Sequence, residues 1–129
     1  RFLSGAMVPA VWVAQAQRFR RWYQDQVLRL FHDIDIILAP ATPTVAPLAG
    51  QPTMTLDGVV MPTRPNIGVF TQPISFIGLP VVAVPVWLPG ATLPIGVQVI
   101  AAPWREDHAL RVAHELAERG VCAAPVAAG

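Results

Sequence analysis

Lysine is absent from this 129-residue chain, and its nine basic residues are all arginine. Chemistry that needs a lysine amine as base or Schiff-base donor therefore has no group to use here. Serine is nearly absent, occurring only as Ser4 and Ser75, and neither lies in a G-x-S-x-G turn. Ser75 sits in Thr71-Gln-Pro-Ile-Ser-Phe-Ile-Gly, with no histidine, lysine or acid nearby. Cys122 is the lone cysteine, so no internal disulfide can form and a reducing cytoplasm is the expected compartment. Of the three histidines, His108 and His114 are six apart on one expected helix and point away from each other. His32 and Cys122 are distant in sequence, so no metal is expected, nor any other cofactor. Gly68, Gly78, Gly90 and Gly96 are too widely spaced for a phosphate loop.

Charge is also scarce. Only 13% of residues are charged, against about 25% in ordinary domains. Net charge is +1, which implies neither nucleic acid nor an acidic membrane surface as partner. From Pro65 to Trp104, 40 residues pass without a charge. Such a run is either a membrane span or a core. A spanning helix needs about 20 apolar residues with intact backbone bonds. Here seven prolines interrupt the run, and Pro80, Pro85 and Pro89 cut even its most apolar part, Phe76 to Ala91. Short buried strands joined by tight turns are the better reading, without a membrane. The low charge and the start at Arg1, without initiator Met or targeting signal, suggest a piece of a larger protein.

Read in order, Ser4 to Phe31 is expected to form one long helix with Pro9 in its first turn. Trp12, Ala16, Phe19, Tyr23, Val27 and Leu30 would line its apolar face. A buried strand follows over Ile34 to Ala39 and ends at Pro40. Asp33 and Asp35 at its entrance read as turn and capping residues rather than an acid–base pair. Pro40 to Pro65 is a proline-rich loop region, with a hairpin at Thr53 to Met61 turning on Asp57-Gly58. Asn66 to Ile77 could be a short helix, with Pro73 in its way. Pro80 to Val86 and Ile95 to Ala101 are expected as antiparallel strands. Val81, Val82, Val84 and Val86 leave no polar face, which predicts cover on both sides. The turn Leu88 to Pro94 is expected to be wet only at Thr92.

Arg105 to Arg119 closes the chain as a helix with Glu106 and Asp107 in its first turn and Gly120 as its stop. Arg21–Asp25, Asp107–Arg111 and Glu115–Arg119 are candidate i,i+4 pairs. Val121 to Gly129 is a small-residue tail, expected to fray after Pro125. The order of elements is an α/β pattern.

Four motifs, taken together, resemble the amidase signature family. They are Asp35-Ile-Ile-Leu-Ala-Pro-Ala-Thr-Pro, Phe70-Thr-Gln-Pro-Ile-Ser-Phe-Ile-Gly-Leu-Pro, Val84-Pro, and Leu93-Pro-Ile-Gly-Val-Gln-Val-Ile. Their order and spacing match the C-terminal part of that fold, a mixed β-sheet flanked by helices. The resemblance implies a fragment, residues 1–129, of a larger single domain. It further implies hydrolysis of a C–N bond by a Ser–cis-Ser–Lys triad lying upstream, which agrees with the missing lysine. This chain would then hold no catalytic residue and would be inactive alone.

The resemblance gives residues 66–104 a substrate-wall turn followed by buried strands that act as scaffold. Gly68, Val69, Thr71, Gln72 and Ser75 would approach the acyl side of a small amide, and Thr42 would line the channel. Thr71, Gln72 and Ser75 are the only polar side chains between Asn66 and Thr92. If buried, each needs a partner or a ligand, so local capping of loop backbone and ligand contact both stand. Family members that use glutamine place an acid two residues before the Phe-Thr pair; Gly68 stands there. That favours a small uncharged or anionic amide, or a urea-like compound. The partners implied are that substrate, the N-terminal portion of the same protein, and a small helper subunit or a second copy in a homodimer. The alternatives are a glutaminase fragment of the amidotransferase type and a non-catalytic interaction module.

Overall fold

A computed structural model describes residues 2–125; Arg1 and the expected frayed end, residues 126–129, lie outside the described residues. Where one long N-terminal helix is expected, two are found: α1 at Phe2–Gly5 and α2 at Ala10–Leu30. Pro9 is not inside the first turn but before it, extended at φ −61° and ψ 138°. Proline disfavours helical backbone at the preceding residue, which breaks the helix at Val8.

The strand β1 spans Ile36–Pro40, two residues later than expected and with Pro40 included. β2 at Thr53–Leu56 and β3 at Val59–Pro62 form the hairpin. Asp57 and Gly58 both have positive φ, 48° and 75°, as a two-residue turn matched to strand twist requires. After α3 at Thr63–Asn66 comes α4 at Gln72–Ile77. Pro73 is no obstacle: it occupies the first turn of α4, where a missing N–H costs nothing. Gly78 ends α4 at φ 70°. β4 at Val81–Val86 and β5 at Ile95–Ala101 pair antiparallel, and β1 pairs with β5, giving the order β1-β5-β4.

The last helix, α5, spans Glu106–Glu118. It closes as a Schellman motif, with Gly120 N–H donating to Ala117 O (2.9 Å) and Val121 N–H to Leu116 O (2.9 Å). Of the three expected i,i+4 pairs, only Glu115–Arg119 forms, at 3.2 Å. Asp107 turns back to Arg105 instead, at 3.3 Å.

Strand alternation divides the core in two. One face of the sheet places Val84, Val99 and Ala101, with Ile36, Val82, Val86 and Val97, against Ala109, Val112, Ala113 and Leu116 of α5 and against Cys122. The other face places Ile37, Ala39 and Ile100 against Ile74 and Ile77 of α4, Leu79, and Tyr23, Val27, Leu28 and Phe31. The central strand β5 is thus covered on both sides. β4 is not: Val81 and Ala83 are exposed, because the α2–α4 cover stops at β5. The turn after β4 is likewise wetter than expected, with Leu88, Pro89, Gly90 and Leu93 exposed as well as Thr92.

Only the C-terminal half of α2 reaches the core. Trp12 and Phe19 of the expected apolar face remain 65% and 55% exposed, and Ala16 and Leu30 are exposed too. Leu28 and Phe31 take the places next to Tyr23 and Val27. Among the described residues, no helix is long and apolar enough to cross a membrane.

Gly96 shows how closely β1 approaches β5. A Cβ added there would lie 2.9 Å from the Ala41 Cβ, and Ala41 N–H donates to Gly96 O at 2.8 Å. An alanine methyl cannot swing away. Gly96→Ala is therefore expected to cost about 1–3 kcal/mol, as overpacking typically does. A urea titration of the two proteins reads it directly.

Candidate functional site

The loop before α4 is organised by one carbonyl. Gly68 O accepts from Thr71 N–H (3.1 Å), Gln72 N–H (2.9 Å) and the Thr71 Oγ1 hydroxyl (3.2 Å). Thr71 is therefore satisfied by local backbone. Gln72 and Ser75 are exposed and form no side-chain hydrogen bond among the described residues. Neither is therefore a buried polar group in need of a partner or a ligand. Val69 is exposed and Gly68 half-buried.

Gly68, Thr71 and Gln72 do come together. A Cβ at Gly68 would lie 3.4 Å from both Thr71 Oγ1 and Gln72 Nε2, an ordinary contact distance. On α4, Gln72, Pro73 and Phe76 border an open apolar groove of about 540 Å³, closed on its far side by Phe19 and Tyr23 of α2. Phe19 and Tyr23 stack with ring centroids 6.2 Å apart. Ser75 falls one helical turn beyond Thr71 and does not border that groove.

Thr42, half-buried, begins a separate loop at the end of β1. The link between the two loops is a residue that pattern reading passed over. Gln98 is 2% exposed, in the middle of β5. Its side-chain nitrogen donates to Pro40 O at 2.7 Å and to Phe70 O at 3.1 Å. The signal was present: one amide in the otherwise apolar Ile95-Gly-Val-Gln-Val-Ile-Ala, at a strand position facing inward. A second buried polar group, the Thr63 hydroxyl below the hairpin, has no hydrogen-bond partner among the described residues.

The titratable groups cluster elsewhere. Asp35, Arg105, Asp107 and His108 meet at the start of α5, on the other side of the sheet from α4. Desolvation pushes the Asp107 carboxyl up, but the Arg105 hydrogen bond and charge, together with His108, outweigh it and hold Asp107 below its usual range. Asp35 lies 3.9 Å from His108 Nδ1. Among the described residues no group of three or more His, Cys, Asp or Glu could hold a metal ion. The 68–75 region has neither a nucleophile–base pair nor a charged group. It offers backbone, hydroxyls, an amide and apolar surface, the kinds of group that line small-molecule pockets.

The sequence profile of the Amidase family matches residues 2–110, a span that takes in β1, the whole 68–75 region, Gln98 and the start of α5. This chain belongs to the Amidase family. Its amidase relatives include AtzE, the 1-carboxybiuret hydrolase subunit of Pseudomonas sp. (strain ADP), 50% identical over 123 residues, which is 94% of this chain and 27% of that protein. A fatty acid amide hydrolase of Medicago truncatula is 37% identical over 76% of this chain and 16% of its own length. The A-subunit of the glutamyl-tRNA(Gln) amidotransferase of Acinetobacter baylyi is 32% identical, over 88% of this chain and 22% of its own. A solved structure described as a vestigial protein complex revealing the origins of an s-triazine catabolic enzyme superposes with a TM-score of 0.90. It is 47% identical and covers 97% of this chain and 28% of that one. The amidase fold thus accounts for the α/β arrangement, and the chain spans about a quarter of the length of AtzE.

Proposed function

We propose that this chain forms one wall of the substrate cleft of an amidase that hydrolyses the C–N bond of a small uncharged or anionic amide or urea-like compound. The observation that carries the reading is the 50% identity to AtzE of a 1-carboxybiuret hydrolase, against 32–35% to glutamyl-tRNA(Gln) amidotransferase A subunits. Gly68, where glutamine-using members are expected to carry an acid, points the same way. In this reading the Ser–cis-Ser–Lys triad belongs to the remainder of the same protein, upstream. Its serine oxygen attacks the carbonyl carbon, the amine leaves with a proton, and water releases the acyl group. Gly68, Val69, Thr71, Gln72 and Ser75 bound the acyl side, and Thr42 bounds the channel. Thr71 acts chiefly through the turn that its hydroxyl braces.

A second reading, of a surface made for another polypeptide, is favoured by the exposed Trp12, Phe19 and Trp22 on α2 and by the uncovered Val81 and Ala83. Monomeric proteins rarely leave such apolar area open. The upstream portion of the protein is the cover we assign, with a small helper subunit or a second copy as further partners. The single cysteine fits a reducing compartment, and we assign the cytoplasm.

The test is ammonia release by the full-length enzyme from urea-like carboxylates, neutral amides and glutamine. Faster turnover of glutamine than of every urea-like compound would overturn the substrate class. Gly68→Asp sharpens the test, since the added side chain has room and would meet Gln72 and Thr71. A carboxylate there is expected to raise the preference for glutamine about tenfold or more, as a charged hydrogen bond to its ammonium group would. An unchanged preference would place the ammonium site elsewhere.

A further inference from the structure

We propose that Gln98 is a positioning residue that clamps both walls of the substrate cleft to the central strand, an inference resting on the amidase reading above. Its nitrogen carries two N–H groups, and each has one acceptor: Pro40 O at 2.7 Å and Phe70 O at 3.1 Å. Pro40 is the last residue of β1 and stands two residues before Thr42. Phe70 stands between Val69 and Thr71. Loops separated by some 30 residues of chain are thereby held to one atom of a strand packed on both faces.

Geometry makes the amide specific. A carboxylate at this position would set an acceptor against two acceptors. An apolar side chain of the same length would remove both donors and, with them, the bonds that hold Pro40 O and Phe70 O to β5. The backbone segments 40–42 and 69–71 would then each lose one tie to β5. The Ala41 N–H bond to Gly96 O at 2.8 Å is a second tether for the first loop. At Phe70 the loop before α4 is tied to β5 by Gln98 alone among the described hydrogen bonds. The second loop is therefore the one that depends most on the amide.

The experiment uses the full-length enzyme with Gln98→Met and, as control, Val99→Ala. Val99 is fully buried one residue on, against the α5 side, and touches neither loop. Q98M is expected to raise KM for the amide about tenfold with kcat within about threefold, since only substrate contact is disturbed. V99A is expected to lower Tm with KM unchanged. Amide hydrogen exchange at 69–72 should accelerate in Q98M and not in V99A.

Should Q98M fail to fold, Gln98→Asn keeps the amide, shortens its reach and is expected to show the same pattern. A fall in kcat with wild-type KM would mean only less folded enzyme and would overturn the proposal. So would wild-type exchange at 69–72. If the unaltered enzyme cleaves no amide at all, the amidase reading fails, while the exchange experiment still decides the clamp.

Discussion

The 129-residue chain purified by itself is expected to release no ammonia from any small amide. The reason is chemical supply. Hydrolysis needs an activated nucleophile and a base, and the chain has no lysine and only two serines. Ser75 is exposed on α4, makes no side-chain hydrogen bond among the described residues, and enters no ion-paired or titratable cluster there. The acids and His108 that could form a relay lie behind the sheet, on the α5 side. An ammonia assay over hours, with the full-length enzyme beside it, measures the difference. Turnover by the chain alone that Ser75→Ala abolishes would overturn the assignment of these residues to a wall.

The second large effect is expected at Ile100. It is fully buried where β5 meets α4 and α2, with Ile77 and Leu79 against it. Ile100→Ala removes buried carbon and leaves a cavity that the sheet, packed on its other face by α5, cannot collapse around. The expected loss is about 2–5 kcal/mol. That is a large share of the roughly 5–15 kcal/mol by which folded domains are stable. Urea titration of the full-length protein, with unchanged m, reads the loss as a lower midpoint. Arg111→Ala, at an exposed position on α5, should shift stability by less than about 0.5 kcal/mol. A cost at Ile100 no larger than at Arg111 would show that the face beneath α4 is not a packed core.

Much of this architecture was legible because it follows from local rules. Asp57-Gly58 forced a tight hairpin through backbone preference alone. Gly120 ended α5, and the tight Leu88–Pro94 link made β4 and β5 antiparallel neighbours. Proline was harder to read, because its effect depends on position. Pro9 broke a helix expected to contain it, whereas Pro73 began a helix expected to be spoiled by it. Burial was the weakest inference. A run of valines predicts an apolar environment but not whether the covering element is present, and β4 has its cover on one face only.

By itself, then, the sequence determined which residue types the chain supplies and which family its motifs belong to. It has no lysine and only two serines, neither beside a histidine or acid, and its ordered motifs announced the amidase fold. Those are properties of composition and order, which survive unfolding. The tertiary structure alone decided which residues act together. It sent the titratable cluster to the opposite side of the sheet from α4, and joined the end of β1 to the loop before α4 through Gln98. The physical reason is that hydrogen bonds from one strand to a loop 28 residues away and to a strand end 58 residues away have no local period to betray them. Only the pairing register, which turns Gln98 to the α4 side, creates those bonds.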